Sequence, residues 1–127
     1  MTRFLLATDS VHTTAAACDY LAGRLSDGDA VTAVTVREPG ADPRDGEDAL
    51  NVATVRLGVV TSVETAVFER EPASAILDAA ADHQVDEVVL GARSGEPGAS
   101  AGVGETARAV LTRAPVPVVV VPLPGLE

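Results

Sequence analysis

Two stretches of the sequence carry residue types that could contact a phosphate ester. The first is Asp9, which directly follows the apolar run Arg3–Thr8. The second is Gly91–Gly104, which is rich in glycine, serine and alanine and follows the apolar run Val85–Leu90. A glycine-rich main chain can approach a ligand closely, and N–H groups at a helix N-terminus bind phosphate. The pattern therefore predicts a phosphate-binding loop, with an ordinary long connection between two elements as the alternative.

Several side chains around these stretches suit the same ligand. Arg93 can bind a phosphate through its guanidinium group, and Ser94 and Thr106 can donate hydroxyl hydrogen bonds. Thr106 also lies near the predicted start of a helix, where backbone N–H groups have no partner within the helix. Asp9 can bind a ribose hydroxyl, help to hold a metal ion beside phosphates, or simply cap the following helix. The sequence leaves these roles of Asp9 open.

The composition excludes several other kinds of site. The chain has no lysine, which excludes a Walker-type phosphate loop. No His/Cys/Asp cluster has metal-site spacing, and no Ser-His-Asp arrangement can be argued. The single cysteine, Cys18, is predicted to be buried and unreactive because no basic neighbour is evident. His12, near the mouth of the candidate site, and His83 are both predicted to face solvent.

The elements that must position these residues alternate between strand and helix. Alternating βα units specify a parallel sheet with helices on both faces, so we predict one domain, residues 1–127, with a three-layer α/β/α architecture. The predicted strands are Arg3–Thr8, Ala30–Val36, Val63–Phe68, Glu87–Leu90 and Val116–Val121. The first predicted helix has Thr13 or Thr14 as its N-cap and runs to about Leu25. The other predicted helices run from Asp45 to about Val59, from Pro72 to about His83 and from Glu105 to about Arg113.

The order of the strands fixes where a ligand would bind. Right-handed crossovers leave few topologies for a five-stranded Rossmann-like sheet, and among them we predict the order 3-2-1-4-5. The chain then reverses direction between the first and fourth strands, and ligands bind outside the carboxyl ends of the strands at such a switch point. The residues expected there are Thr8, Asp9, Val36 at the end of the second strand, and the stretch Gly91–Gly104.

The charge of the chain limits its partners. The net charge is −10 and the pI about 4.4, so nucleic acid and anionic membranes would be repelled. All nine basic residues are arginine. This composition suggests a high-salt cytoplasm, where screening weakens self-repulsion, with a GC-rich genome as the alternative. No signal peptide or membrane span is evident in the sequence, and we expect a cytoplasmic location.

The whole chain resembles a single-domain universal stress protein. The segments that carry the resemblance are LLATDS, EPASAIL, VDEVVLGAR and VGETARAVLTRAPVPVVVVP. In nucleotide-binding members the loop follows Gly-x2-Gly-x9-Gly-Ser/Thr, a register that falls here on Gly91, Ser94, Gly104 and Glu105. Ser94 and Glu105 depart from the pattern. A carboxylate at position 105 would oppose a phosphate charge 4 Å away by about 1 kcal/mol in water and about 4 kcal/mol near a protein surface.

The resemblance implies a stress-response or regulatory module that binds ATP or another adenine nucleotide, with Mg²⁺. We expect any hydrolysis of ATP to be slow or absent, with a nucleotidyl-transfer or other enzyme on the same scaffold as a further alternative. Adenine would lie near Val36 and Leu90, and Asp9 would face the ribose. The phosphates would be surrounded by Gly91, Arg93, Ser94, Gly104 and Thr106. The resemblance also implies homodimers formed around the edge strand Val116–Val121. The alternative is a nucleotide-free homodimeric interaction protein in which Glu105 fills the phosphate site.

Overall fold

The computed structural model describes residues 1–37, 39–40, 42–92 and 104–122. Five strands and four helices alternate along this part of the chain, as predicted. The strands are β1 (Arg3–Ala7), β2 (Ala30–Val36), β3 (Ser62–Phe68), β4 (Glu87–Gly91) and β5 (Val118–Val121). The helices are α1 (Val11–Ala22), α2 (Pro43–Leu57), α3 (Pro72–Asp82) and α4 (Glu105–Arg113).

The strands form one parallel sheet in the order β3-β2-β1-β4-β5. This order confirms the predicted Rossmann-like α/β topology. Parallel strands bury both faces under helices, so their sequences read as continuous apolar runs. Phe4-Leu5-Leu6-Ala7 in β1 is such a run, and all four side chains are buried.

Two aliphatic cores flank the sheet. On one face Phe4 and Leu6 pack with residues of α1 and α2, including Leu21 and Leu57. On the other face Leu5 and Ala7 pack with residues of α3 and α4. The division follows from the alternation of side chains along a strand. No described helix is both long and apolar enough to cross a bilayer.

The start of α1 corrects the sequence prediction. Ser10, and not Thr13 or Thr14, is the N-cap: its hydroxyl accepts a hydrogen bond from the Thr13 backbone N–H at 3.2 Å. The Thr13 hydroxyl accepts one in return from the Ser10 backbone N–H at 3.3 Å. This reciprocal pairing is a capping box, with threonine in the place of the usual Glu or Gln. The helix also ends earlier than predicted, at Ala22 instead of Leu25, with Gly23 as its C-cap.

The starts of α2 and α3 share another arrangement. Each begins with proline at its first position after an acidic N-cap, Asp42 and Glu71 respectively. Proline suits this position because its missing N–H has no intrahelical partner there. For α2 this places the start at Pro43, two residues before the predicted Asp45.

The last strand is shorter than predicted. Pairing with β4 begins at Val118 instead of Val116, because Pro117 has no N–H to donate to a ladder. Its carbonyl still accepts a hydrogen bond from the Val88 N–H at 3.0 Å. In the described sheet β5 and β3 are the two edges, and each pairs with a single neighbour.

Candidate functional site

The pairing of β1 with β4 defines the candidate site. Ala7 is the register partner of Leu90, so the chain leaves both strands at the same edge of the sheet, next to one another. Thr8 and Asp9 follow β1 there, and Ala92 follows β4. The predicted adjacency of the first and fourth strands is therefore confirmed. Neighbouring strands lie about 4.8 Å apart, so the two strand ends are within reach of one small ligand.

The two ends of the glycine-rich stretch are held together. The Gly104 N–H donates to the Ala92 carbonyl at 2.6 Å. The Ala92 N–H in turn donates to the Val121 carbonyl at 3.0 Å, which extends the pairing of β4 with β5. The N-terminus of α4 is thus fixed beside the carboxyl end of β4. Arg93 and Ser94, two of the predicted phosphate contacts, lie outside the described residues.

A cluster of hydroxyl groups supports the segment after β1. The Thr8 hydroxyl lies within hydrogen-bond distance of the Thr13 hydroxyl, at 3.1 Å, and also contacts the Thr14 hydroxyl. Thr8, Thr13 and Thr14 are all buried. Thr14 donates to the Ser10 carbonyl at 2.7 Å. The Thr8 hydroxyl therefore makes its hydrogen bonds to other residues of the protein.

Asp9 lies at the exposed side of this cluster. Its carboxylate accepts a hydrogen bond from the Thr13 hydroxyl at 3.1 Å, and its side chain is exposed. The helix cap is Ser10, so the alternative in which Asp9 serves as the N-cap is not the arrangement found.

No side chain in the described part of the chain caps the first turn of α4. Gly104 is the N-cap residue, with φ −72° and ψ 171°. The helix N-terminus therefore presents backbone N–H groups and the positive end of its dipole. Glu105 is the first helical residue and is exposed, and Thr106 follows it, half-buried. This end can attract an anion through its backbone, while the Glu105 carboxylate opposes one.

The three apolar or small residues of the predicted site lie at strand ends. Val36 is the last residue of β2 and is half-buried. Leu90 is only 5% exposed and packs in the core between the sheet and α3 and α4. Gly91 ends β4, half-buried and in register with Val121. Of these three residues, Val36 and Gly91 are partly exposed, and Leu90 belongs to the core.

Cys18 and the two histidines lie outside this arrangement. Burial raises the pKa of the Cys18 thiol to about 11, although Arg56 acts to lower it. The predicted burial is correct, but the predicted lack of a basic neighbour is wrong, because Arg56 comes from α2, far along the sequence. His12 is exposed, as predicted, whereas His83 is half-buried. The described residues contain no cluster of His, Cys, Asp or Glu that could hold a metal ion.

Sequence reasoning missed the roles of Ser10, Thr13 and Thr14. These residues order the turn that carries Asp9, through the capping box and the buried hydroxyl contacts described above. The signal was present in the spacing Ser10-x-x-Thr13, which matches the positions of a capping box. Threonine in place of Glu or Gln hid it, and nothing in the sequence pattern indicated that Thr8 and Thr14 would meet.

Solved structures with the same fold include several nucleotide complexes. The hypothetical protein MJ0577 matches with a TM-score of 0.78 and 18% identity over 95% of each chain. A universal stress protein from Archaeoglobus fulgidus in complex with dAMP matches with a TM-score of 0.69 and 19% identity, over 95% of this chain and 98% of that one. A universal stress protein family protein from Arabidopsis thaliana with AMP bound matches with a TM-score of 0.72 and 14% identity, over 100% and 95% of the two chains. At these identities the likeness establishes the fold.

The family to which the chain belongs follows from its sequence. No curated protein sequence matches the chain significantly. The model of the universal stress protein family matches residues 44–122, which is more than half of the chain and includes β3, β4, α4 and β5. With the strand order and the switch point described above, this match establishes that the chain belongs to the universal stress protein family.

Proposed function

We propose that this protein is a regulatory module that binds an adenine nucleotide at the carboxyl edge of its sheet. The observation that carries the proposal is the β1–β4 register, with Ala7 opposite Leu90. This register and the Gly104–Ala92 hydrogen bond support a site in which the Asp9 carboxylate and the N-terminus of α4 face the same ligand. A carboxylate suits a ribose, and a helix N-terminus suits a phosphate. The AMP and dAMP complexes of proteins with this fold support the same ligand class.

Each residue has a defined part in this proposal. Val36 flanks the adenine, and Leu90 supports that wall from the core. Asp9 accepts hydrogen bonds from the ribose hydroxyls, held in place by the Thr13 hydroxyl at 3.1 Å. Thr8 acts by positioning Asp9, since its own hydroxyl is used within the buried cluster. Gly91 and Gly104 let the backbone approach the ligand.

The phosphates are proposed to lie against the first turn of α4. Gly104 and Thr106 supply backbone and hydroxyl donors there, and Arg93 and Ser94 complete the set from outside the described residues. The Glu105 carboxylate opposes the charge of the phosphates. Mg²⁺ bound mainly through the phosphates, as this ion usually is at nucleotide sites, would offset part of that opposition. We infer that binding, and not turnover, is the function, because the described residues at the carboxyl ends of the strands include no side chain arranged as a general base for water.

A second candidate function is a nucleotide-free interaction protein that acts as a homodimer. The exposure of Glu105 at the first position of α4 favours it, since a carboxylate at this end satisfies the helix dipole without any ligand. In this candidate Glu105 occupies the place that a phosphate would otherwise take.

Calorimetry with ATP and Mg²⁺ on the native chain and on Glu105→Ser separates the two candidates. If the native chain binds nucleotide, Glu105→Ser should bind ATP about ten- to a thousand-fold more tightly, because roughly 1–4 kcal/mol of charge repulsion is removed. AMP should gain less than ATP, since it carries less charge near the helix. Glu47→Ser, at an exposed carboxylate of α2, is the control and should leave binding unchanged.

The two candidate functions predict different results in this experiment. Binding by both proteins supports the nucleotide-binding module. Binding by Glu105→Ser alone supports the nucleotide-free candidate. Binding by neither protein contradicts the proposed nucleotide site, and steady release of ADP or phosphate by the native chain would contradict the non-enzymatic function.

A further inference from the structure

A polar depression lies on the sheet near the amino ends of the strands, opposite to the carboxyl ends where the candidate nucleotide site lies. Its volume is about 240 Å³, and it opens over the first halves of β1, β2 and β3. His83, which is the C-cap of α3, and Val85 form its remaining wall. The residues that line it include Arg3, Thr32, Glu64 and His83.

The register of the sheet places the charged residues of the depression, Arg3 and Glu64, on the same face. Arg3 pairs with Ala30, and Ala30 pairs with Ser62, so these three form one row across the sheet. Thr32 pairs with Glu64 in the row two residues further on. Residues two apart on a strand point to the same face. From the strand spacing and rise, the Cα atoms of Arg3 and Glu64 are about 12 Å apart, which leaves room for a small molecule between the two charged ends.

Two polar groups in the depression have no partner in the described part of the chain. Thr32 is only 9% exposed, yet its hydroxyl makes no hydrogen bond to any described residue. A buried hydroxyl without a partner costs free energy of about 1–3 kcal/mol unless water or a ligand satisfies it. The Arg3 guanidinium has no ion pair within the same residues. This contrasts with five other arginines that pair with carboxylates: Arg37, Arg44, Arg56, Arg70 and Arg113.

The charged residues around the depression indicate which charges its ligand carries. A simple anion would be attracted by Arg3 but opposed by Glu64 and by Asp86, whose carboxylate accepts a hydrogen bond from the Arg3 backbone N–H at 2.9 Å. A simple cation would be opposed by Arg3. A molecule with a carboxylate at one end and an ammonium group at the other is matched by both walls. The volume is below the roughly 300–1,000 Å³ of pockets for drug-sized ligands, so the ligand is small.

We propose that this depression is a second binding site, which takes a small zwitterion of amino-acid size. The ligand carboxylate binds the Arg3 guanidinium, the ammonium group faces Glu64, and the Thr32 hydroxyl hydrogen-bonds the ligand between them. The Nδ1 atom of His83 lies 3.8 Å from the Glu64 carboxylate, so His83 lies on the same side of the depression as Glu64. The site shares no residue with the nucleotide site and does not depend on it.

The test is a titration of the ¹⁵N-labelled full chain with L-serine, followed by amide NMR. Saturable shifts are expected at Arg3, Thr32, Glu64 and Val85, with a Kd on the order of 1 mM. L-lactate, which lacks the ammonium group, and ethanolamine, which lacks the carboxylate, should bind at least about tenfold more weakly. Shifts confined to Asp9 and α4 would place the ligand at the other edge and overturn the proposal.

Two variants check the assigned contacts. Arg3→Gln should weaken serine binding about tenfold or more, and Thr32→Val, which has nearly the same shape, should weaken it severalfold. Arg24→Gln is the matched control, because this arginine is exposed and stacks on Tyr20 at 4.6 Å. Equal binding by the native chain and Arg3→Gln, tight binding of lactate, or the absence of saturable shifts would each overturn the proposal. Arg3 is exposed, so its replacement leaves the core intact.

Discussion

Hydroxyl side chains at the end of β1 decide how firmly Asp9 is held. The Ser10 cap and the Thr13 hydroxyl satisfy one another, and Thr13 also donates to the Asp9 carboxylate. Threonine and serine compete with regular structure through such local bonds, which is why they are favoured at helix starts. The turn after β1 is therefore ordered by short-range polar contacts, while the strand before it is ordered by burial.

Removal of the Ser10 hydroxyl should destabilise the native chain measurably. Ser10→Ala leaves the Thr13 N–H without its side-chain acceptor, and the loss of such a cap costs about 0.5–2 kcal/mol. Urea unfolding followed by circular dichroism measures the change as a lower midpoint. Ser26→Ala is the control, because only the backbone of Ser26 takes part in its turn. Equal midpoints for the native chain and Ser10→Ala would contradict the role of this cap.

At the scale of the elements, hydrophobic patterning predicted most of the fold. Strand β2 and helix α4 have their predicted bounds, and the strand order is as predicted. The errors lie at ends where one polar or proline residue decides the boundary. Ser10 moved the start of α1, and Pro117 shortened β5. A sequence pattern averages over several residues and cannot weigh a single hydrogen bond of this kind.

The candidate site was predictable only in part, for a similar reason. The switch point follows from topology, so the neighbourhood of Asp9 and Gly91 could be predicted. The burial of the Thr8 hydroxyl among Thr13 and Thr14 depends on side-chain packing between β1 and α1, which a one-dimensional pattern does not contain. The approach of Arg56 to Cys18 depends likewise on the packing of α1 against α2.

The acidic cap of α3 should make stability depend on pH. The pKa of Glu71 is lowered from its ordinary value of 4.5, first by the Ala73 backbone N–H and then by the Ser74 hydroxyl. A lowered folded-state pKa means that the stabilisation is present above pH 4.5 and is lost as the pH falls through the lower, folded value. The native chain should therefore lose stability on acidification through this range.

Glu71→Gln isolates that contribution. The amide keeps one acceptor oxygen but cannot titrate, so its urea midpoint should fall less steeply than that of the native chain between about pH 5 and pH 3. Glu69→Gln, at an exposed carboxylate that caps no helix, should follow the native curve. If Glu71→Gln also follows the native curve, the cap is not a source of the acid sensitivity. The lowered pKa values of Asp29 and Asp42 contribute in the same direction.

At the scale of the whole molecule, the edge strand β5 is the proposed dimer interface. Its only described neighbour is β4, and Val118, Val119 and Val120 are half-buried on the isolated chain. An apolar edge with unpaired backbone groups invites pairing with a second copy about a two-fold axis. The proposed dimer covers the segment Val116–Val121 and leaves the carboxyl edge of the sheet accessible.

Light scattering at tens of micromolar should give twice the chain mass of 12.9 kDa. Val119→Lys should give the monomer mass, because a charge on an edge strand opposes pairing. Val67→Lys is the matched control, since Val67 is 43% exposed on the opposite edge strand, β3. A thermal melt of each variant checks that it remains folded. A monomeric native chain, or a dimer lost only in Val67→Lys, would contradict the proposed interface.

The bond between Gly104 and Ala92 has a consequence for how this protein can be altered. It joins the two points where the chain leaves and re-enters the scaffold, at a separation of 2.6 Å between donor and acceptor. The anchor fixes the start of α4 beside the end of β4 through backbone atoms, whatever side chains lie between them. Substitutions between the two anchors should therefore change nucleotide binding, to which Arg93 and Ser94 are proposed to contribute, and should leave the thermal stability of the sheet and helices nearly unchanged.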